Sequence, residues 1–209
     1  MGLFFPTLGP RSSYRTKSDG TYLVYTSYRG EIEADCKQRC VYCDIKNEEH
    51  GYEGFVLDHF RPQAHFSSLA NDPNNLVLSC PVCNRLKSNH WPLDPTIPDS
   101  YQGMVGFLDP FNHDRSQYFN IEPDGRLVPL QPPAQYLEKI LKLNRASRLR
   151  VRERRILRAE LRNLAQIINI SALQLLEQRG NGAISEADFN SQSVPLLKAL
   201  NYLSSAINA

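Results

Sequence analysis

The sequence predicts an α+β fold in which a small mixed core over residues 36–130 follows an extension over 1–35 and precedes a helical region over 131–209. Three observations carry this expectation. Cys, His, Asn, Pro and aromatic residues crowd the middle of the chain, where Phe55–Leu57 and Leu76–Leu78 read as short buried strands and Pro123-Asp-Gly125 as a hairpin turn. Two Cys-x2-Cys pairs, Cys40/Cys43 and Cys80/Cys83, bracket those strands. After Pro132-Pro133, Leu, Ile, Ala and Arg dominate and neither Gly nor Pro occurs from Ala134 to Arg179, which predicts one or two long helices, with a last helix near Val194–Ile207.

The first 35 residues are punctuated by Gly2, Gly9, Pro10, Gly20 and Gly30, with Tyr22–Tyr25 as a candidate short strand. Over all 209 residues, 41% are hydrophobic and 22% charged, a balance that excludes a disordered or fibrous chain. The start lacks a basic residue ahead of its short apolar stretch and has Pro6 where an N-myristoylation signal needs Ser or Thr. The expectation is a soluble chain with neither signal peptide nor that lipid anchor, and with no membrane partner, since no apolar segment reaches the length of a membrane span. The net charge of +2 hides an asymmetry. Residues 1–130 hold 12 Lys+Arg against 16 Asp+Glu, and residues 131–209 hold 12 against 6.

An odd count of five cysteines, four of them in paired knuckles, suits metal chemistry in a reducing compartment, and the cytosol is the expected location. Four thiolates make a closed tetrahedral shell for Zn²⁺ with no open position, so the ion expected on Cys40, Cys43, Cys80 and Cys83 is structural. Cys36 is the spare and is read as a buried free thiol.

Between the knuckles the chain reads Val56-Leu-Asp-His-Phe-Arg-Pro62, Pro73-Asn-Asn-Leu-Val-Leu-Ser-Cys80 and Pro81-Val-Cys-Asn-Arg-Leu-Lys87. An Asp-His pair closing a strand, an Asn ahead of an apolar strand, and Cys-x2-Cys-Asn-x2-Lys opening a helix resemble the HNH endonucleases, in the variant braced by a four-cysteine zinc site. The resemblance implies a ββα-metal core, Asp58 and Asn84 as ligands of the catalytic cation, His59 as general base, and Asn75, with Asn74 as reserve, supporting the strand and holding the base. Asn84 stands where many members have His and others, including the HNH domains of RNA-guided CRISPR nucleases, have Asn.

Phosphodiester hydrolysis needs a base for the attacking water, a cation for the charge building on phosphate, and fixed geometry between them. A carboxylate and an amide oxygen form a hard shell suited to Mg²⁺ or Mn²⁺. Strand neighbours point to opposite faces, so Asp58 and His59 can serve one site only if the strand ends or bends there, which Pro62 favours. By themselves, Asn75 after Pro73 also suits a turn, and Asn84 a helix cap. Arg85 and Lys87 suit either phosphate or solvent.

Two departures from the family pattern stand out. The frequent Gly-Gly between the two strands is replaced by Gln63–Ala70, so the connecting loop must differ. His65 and His90 are additional histidines, of which His90 lies six residues past Asn84 and off its helix face. The flanking segments Phe107-Leu-Asp-Pro110, the Gly125 hairpin, Leu143-Asn-Arg145 and Arg154-Arg155 resemble HNH components of bacterial anti-phage systems such as Septu and retron-associated nucleases, which implies an ATPase partner.

From Lys139 to Arg162 ten basic residues face two acidic ones. At 100° per residue, Arg145, Arg148, Arg152, Arg155, Arg158 and Arg162 share one sector, and Leu157, Leu161, Leu164 and Ile168 repeat on the far side. The expected use is a phosphate-tracking face, with Arg85, Lys87, Arg148, Arg152 and Arg155 binding nucleic acid. The function expected from all of this is a metal-dependent HNH endonuclease acting on DNA. Its rival is a catalytically silent zinc module that binds nucleic acid or protein, for which the Asp58-His59 pair would be superfluous.

Overall fold

The computed structural model describes residues 3–10, 12–50 and 54–208; Gly2, read above as punctuation, lies outside them. The described residues divide into two compact units, Met1–Arg152 and Glu153–Ala209.

Helix α1, Arg29–Asp35, follows a single 3-10 turn at Tyr25–Tyr28. The turn takes up Tyr25, the last residue of the strand that the sequence predicts over Tyr22–Tyr25, and no strand forms there. Tyr28 explains the difference: it is fully buried, and its hydroxyl accepts from the Leu23 amide (2.8 Å) and donates to the Arg15 carbonyl (2.6 Å). The segment satisfies its backbone through that side chain, and only a Thr16–Tyr22 bridge is left of a ladder.

Strands β1, Val56–His59, and β2, Leu76–Ser79, pair antiparallel with Asp58 opposite Val77 and His59 opposite Leu76. All four residues of β2 are buried, as its unbroken apolar run requires, and helix α2, Pro81–Lys87, leaves it at once. Cys80 caps α2, its sulfur accepting from the Cys83 amide (3.5 Å), and Pro81 takes the first helical position. The first knuckle is tied to this ββα unit by Val41 N–H to the Leu78 carbonyl (3.0 Å).

Two further hairpins complete the sheet content, β3 (Tyr101–Gln102) with β4 (Val105–Gly106), and β5 (Phe119–Ile121) with β6 (Leu127–Pro129). The second is the expected turn, with Gly125 at φ +80°. Helix α3, Ala134–Ile140, leads to α4, Ala146–Gly180. The link is clamped by Asn144, whose amide accepts from Leu127 N–H and donates to the Leu127 carbonyl, both at 2.8 Å. The core packed around these elements includes Tyr28, Ile32, Leu76, Leu78, Phe107, Leu127, Leu141 and Leu143.

The second unit comprises the remainder of α4 and helix α5, Glu186–Asn208. The last helix begins eight residues ahead of the expected Val194 and runs through Pro195. Ser185 accounts for the early start: its hydroxyl accepts from the Asp188 amide (3.1 Å) and donates to the Asp188 carboxylate (2.6 Å), a cap that nucleates the helix upstream of the proline. No described helix is long and apolar enough to cross a membrane.

Candidate active site and metal centre

Asp58 and His59, the last two residues of β1, and Asn84, one turn into α2, border a single open cleft of about 390 Å³, joined by Tyr25, Gln63 and Arg85. The strand ends where the sequence requires: after His59 the ladder gives way to a loop held by Asn75. The Asn75 side chain accepts from Arg61 N–H (2.8 Å) and donates to the Arg61 carbonyl (3.0 Å), while the Asn75 carbonyl accepts from Phe60 N–H (2.8 Å). Asn75 is buried and grips the backbone beyond the histidine, whereas Asn74 is exposed and bonds Asp72 and Tyr22.

His59 Nε2 lies 2.8 Å from the Ala70 carbonyl oxygen. A carbonyl only accepts, so this contact is a hydrogen bond when Nε2 carries the proton, the tautomer that leaves the Nδ1 lone pair for a general base. Tyr25 meets the ring edge-on, with 4.9 Å between centroids. The Gln63 amide lies along the ring edge, its nitrogen 3.2 Å from Nδ1 and 2.7 Å from Nε2. Ala70 belongs to the loop that replaces the family's Gly-Gly, and that loop thus supplies the acceptor that orients the ring.

Asp58 is held from two sides. Tyr42, inside the first knuckle, donates its hydroxyl to Oδ2 (2.6 Å), and Lys87 Nζ sits 3.4 Å from both carboxylate oxygens. Burial raises the Asp58 carboxyl above the ordinary carboxylate range, opposed by Lys87 and Tyr42, and burial likewise lowers the Lys87 ammonium, opposed by Asp58. Tyr42 keeps its proton, because burial and then the adjacent carboxylate push its phenol well up. The carboxylate has lone pairs beyond these bonds, and together with the Asn84 amide oxygen it offers a hard cation suitable donors.

Lys87 corrects the sequence expectation. The sequence assigns it to nucleic acid, yet it is 0% exposed, and its ammonium also donates to the His59 carbonyl (2.8 Å). One turn past Asn84, it faces back into the ββα unit and ties both residues of the Asp-His pair to α2. Arg85 does reach the cleft and is exposed. His65 bonds the Asn89 carbonyl (3.0 Å), and His90 stacks on Tyr136; neither borders the cleft.

The ligand atoms of Cys40, Cys43, Cys80 and Cys83 all lie within 4.8 Å of one another. A tetrahedral zinc with bonds of about 2.3 Å has sulfur–sulfur edges of roughly 3.8 Å, and the Cys43–Cys80 separation is 3.8 Å. The four residues fit the ion and can hold it. Cys36 stays outside the cluster: its sulfur accepts from Leu78 N–H (3.3 Å), and burial pushes its thiol up to about 12.

The arginine face carries the second correction. Arg148, Arg152 and Arg155 are buried, so the expected phosphate-tracking sector turns inward at these three positions. Arg148 Nη2 lies 3.4 Å from Cys80 Sγ, and Arg145 Nη2 lies 3.5 Å from Cys83 and 3.7 Å from Cys80. Two guanidinium groups thus stand directly against the cluster, donating N–H to sulfur, and would offset the two negative charges that a zinc tetrathiolate would carry. Arg152 instead donates to the Leu143 carbonyl (2.9 Å), the Asn144 side chain (3.1 Å) and the Gly125 carbonyl, fastening the root of α4 to the β5–β6 turn. The exposed arginines of the helix include Arg154, Arg158 and Arg162.

Sequence reasoning missed Tyr42, the Ala70 carbonyl and the inward turn of Lys87. Tyr42 alone had a signal, a phenol placed inside a Cys-x2-Cys knuckle. No curated protein and no solved structure matches the chain. Residues 40–90, which contain both knuckles, Asp58, His59, Asn75 and Asn84, match the family model for HNH endonuclease.

Proposed function

We propose that the protein is a metal-dependent HNH endonuclease that hydrolyses phosphodiester bonds in DNA, and that it is the nuclease effector of a prokaryotic anti-phage defence system working with an ATPase partner. The observation that carries the nuclease reading is the convergence of Asp58, His59 and Asn84 on one cleft, with a cation, Arg85, beside them. Asp58 and Asn84 would hold Mg²⁺ or Mn²⁺. When bound, such an ion neutralises the charge that builds on the phosphate and on the leaving oxygen.

The chain's own residues do the rest. His59 takes the proton of the attacking water at Nδ1, and the Ala70 carbonyl keeps the ring from turning its protonated nitrogen towards the substrate. Gln63, against the same ring edge, must swing aside for the water to reach Nδ1. Lys87 fixes Asp58 relative to the His59 backbone, and Asn75 fixes the bend through which both reach the cleft. Arg85 meets phosphate at the site, and Arg154, Arg158 and Arg162 are exposed basic residues suited to contact nucleic acid. The defence role rests on the resemblance of the outer segments Phe107–Pro110, Leu143–Arg145 and Arg154-Arg155.

The test is a Mg²⁺-dependent nicking assay on supercoiled plasmid. His59→Ala should retain zinc and DNA binding while losing cleavage by at least ~100-fold, in line with general-base contributions. Equal cleavage by both proteins removes His59 from the mechanism. Binding without cleavage by the parent protein favours the silent module.

A further inference from the structure

The second unit exposes an apolar surface that its two helices cannot cover between them. In α4, Leu164, Ile167, Ile170, Leu173 and Leu176 are each about half exposed or more, with Leu173 at 66%. Steps of three residues turn the helix by 60° short of a full circle each time, so this series winds around α4 instead of lining one seam. A helix that is apolar on several sides is one covered on several sides, as in the interior of a bundle. Helix α5 covers one of those sides at most, and it presents its own exposed set, Val194, Leu197 and Tyr202, the last at 75%. Among the described side chains of this unit only Arg155 and Leu203 are buried. An open groove of about 530 Å³ runs between the helices, from Ser171 to Gln178 on α4 and from Ser191 to Leu196 on α5.

We propose that this hairpin docks against the hairpin of a second copy of the same chain, closing an intermolecular four-helix bundle. Three features point to a second copy as the occupant. First, the surface is almost free of charge: Asn163–Leu176 contains no charged residue, and Phe189–Ile207 contains only Lys198. It therefore offers nothing to a nucleic acid or to an oppositely charged protein, while depletion of charge is the mark of homodimer interfaces. Second, the eight exposed apolar residues present on the order of 900 Å² spread over several sides of the hairpin, comparable in total with the roughly 800 Å² that each partner contributes to a stable interface, and the sides that α5 leaves bare are those a bundle partner would cover. Third, two antiparallel hairpins brought together about a two-fold axis make a four-helix bundle, in which one surface serves as both donor and acceptor of contacts. On the nuclease reading, such a pair carries two cleavage centres, one for each strand of a duplex; the assembly itself does not depend on that reading.

Sedimentation equilibrium and light scattering on the full zinc-loaded chain, over a concentration series, test the proposal. The parent protein should be a dimer at micromolar concentration. Leu173→Glu with Leu197→Glu should be monomeric and keep its full complement of zinc. Should the paired variant lose helix content by circular dichroism, the milder Leu173→Ala supplies the reading: it should raise the dimer dissociation constant by at least tenfold with helix content intact. A monomeric parent protein overturns the proposal, including one that is captured only by another protein. A dimer that persists unchanged in both variants overturns the assignment of this surface.

Discussion

Replacing Arg148 with Met should weaken zinc binding, although Arg148 is not a ligand. Arg148 is 5% exposed, and its guanidinium donates to Cys80 Sγ at 3.4 Å. A hydrogen bond to a charged group contributes about 1.5–3 kcal/mol. Arg148→Met forfeits that bond but also removes a buried Nε that has no hydrogen-bond partner among the described residues, and Met fills most of the vacated volume, so a net loss of about 2 kcal/mol is reasonable. At 1.36 kcal/mol per decade this corresponds to roughly 30-fold in zinc affinity, within the range usual for partners of metal ligands. Competition against a chromophoric chelator measures the affinity. Cobalt substitution then separates electrostatics from general destabilisation: without the N–H donor, the thiolate lone pair rises in energy and the sulfur-to-cobalt charge-transfer band moves to longer wavelength. Arg152→Met is the control, since Arg152 bonds carbonyl and amide oxygens, and it should lower thermal stability with the band in place. An unchanged affinity together with an unmoved band in Arg148→Met would refute the argument.

Lys87→Met breaks a buried pair and the bond to the His59 carbonyl; a loss of about 3–5 kcal/mol, or on the order of 10 °C in Tm, is expected by calorimetry, and an unaltered Tm contradicts the buried placement. Replacing Arg154, Arg158 and Arg162 together with Gln should flatten the dependence of log affinity on log salt by about 0.9 for each duplex phosphate that these side chains neutralise, while cleavage at saturating DNA survives; an unaltered slope removes these residues from the DNA interface. Prolonged chelation, or Cys80→Ser, should abolish both zinc content and the near-ultraviolet dichroism of the first unit, because binding energy at such a centre is folding energy. A chelated chain that keeps its native dichroism would show that the ion is dispensable.

The cleft was legible because its chemistry lies in residue types at fixed spacing. Two knuckles, an Asp-His pair and an Asn opening a helix specify partners whatever surrounds them, and β2 was plain from the apolar run Leu76–Leu78, which is buried throughout. The direction of the arginines was not legible in the same way. A helical wheel sorts Arg148, Arg152 and Arg155 onto one face but carries no sign for inward or outward, and the customary sign, charge towards water, fails for Arg148, which meets a cysteine sulfur, and for Arg152, which meets buried carbonyl oxygens. Lys87 escaped for the same reason, since the carboxylate it neutralises lies 29 residues away. Ala70 acts through its backbone oxygen, which every residue carries, so no substitution pattern could have marked it. In residues 1–35 the tyrosines suggested a strand, and the hydroxyl of Tyr28 decided for a turn.

The position of the catalytic segment within the zinc frame has a consequence for chain entropy. Cys43 and Cys80 bracket 36 residues, and Asp58, His59 and Asn75 all lie inside that loop. β1 and β2 have four residues each, and a two-stranded ribbon of that length does not persist in water unaided. A cross-link closing a loop of this size removes unfolded-state freedom worth about 3–4 kcal/mol on the scale established for disulfides. An ion held by ligands at both ends of the loop would therefore meet the cost of ordering residues that it never touches, and two short strands could then hold a histidine and a carboxylate in register.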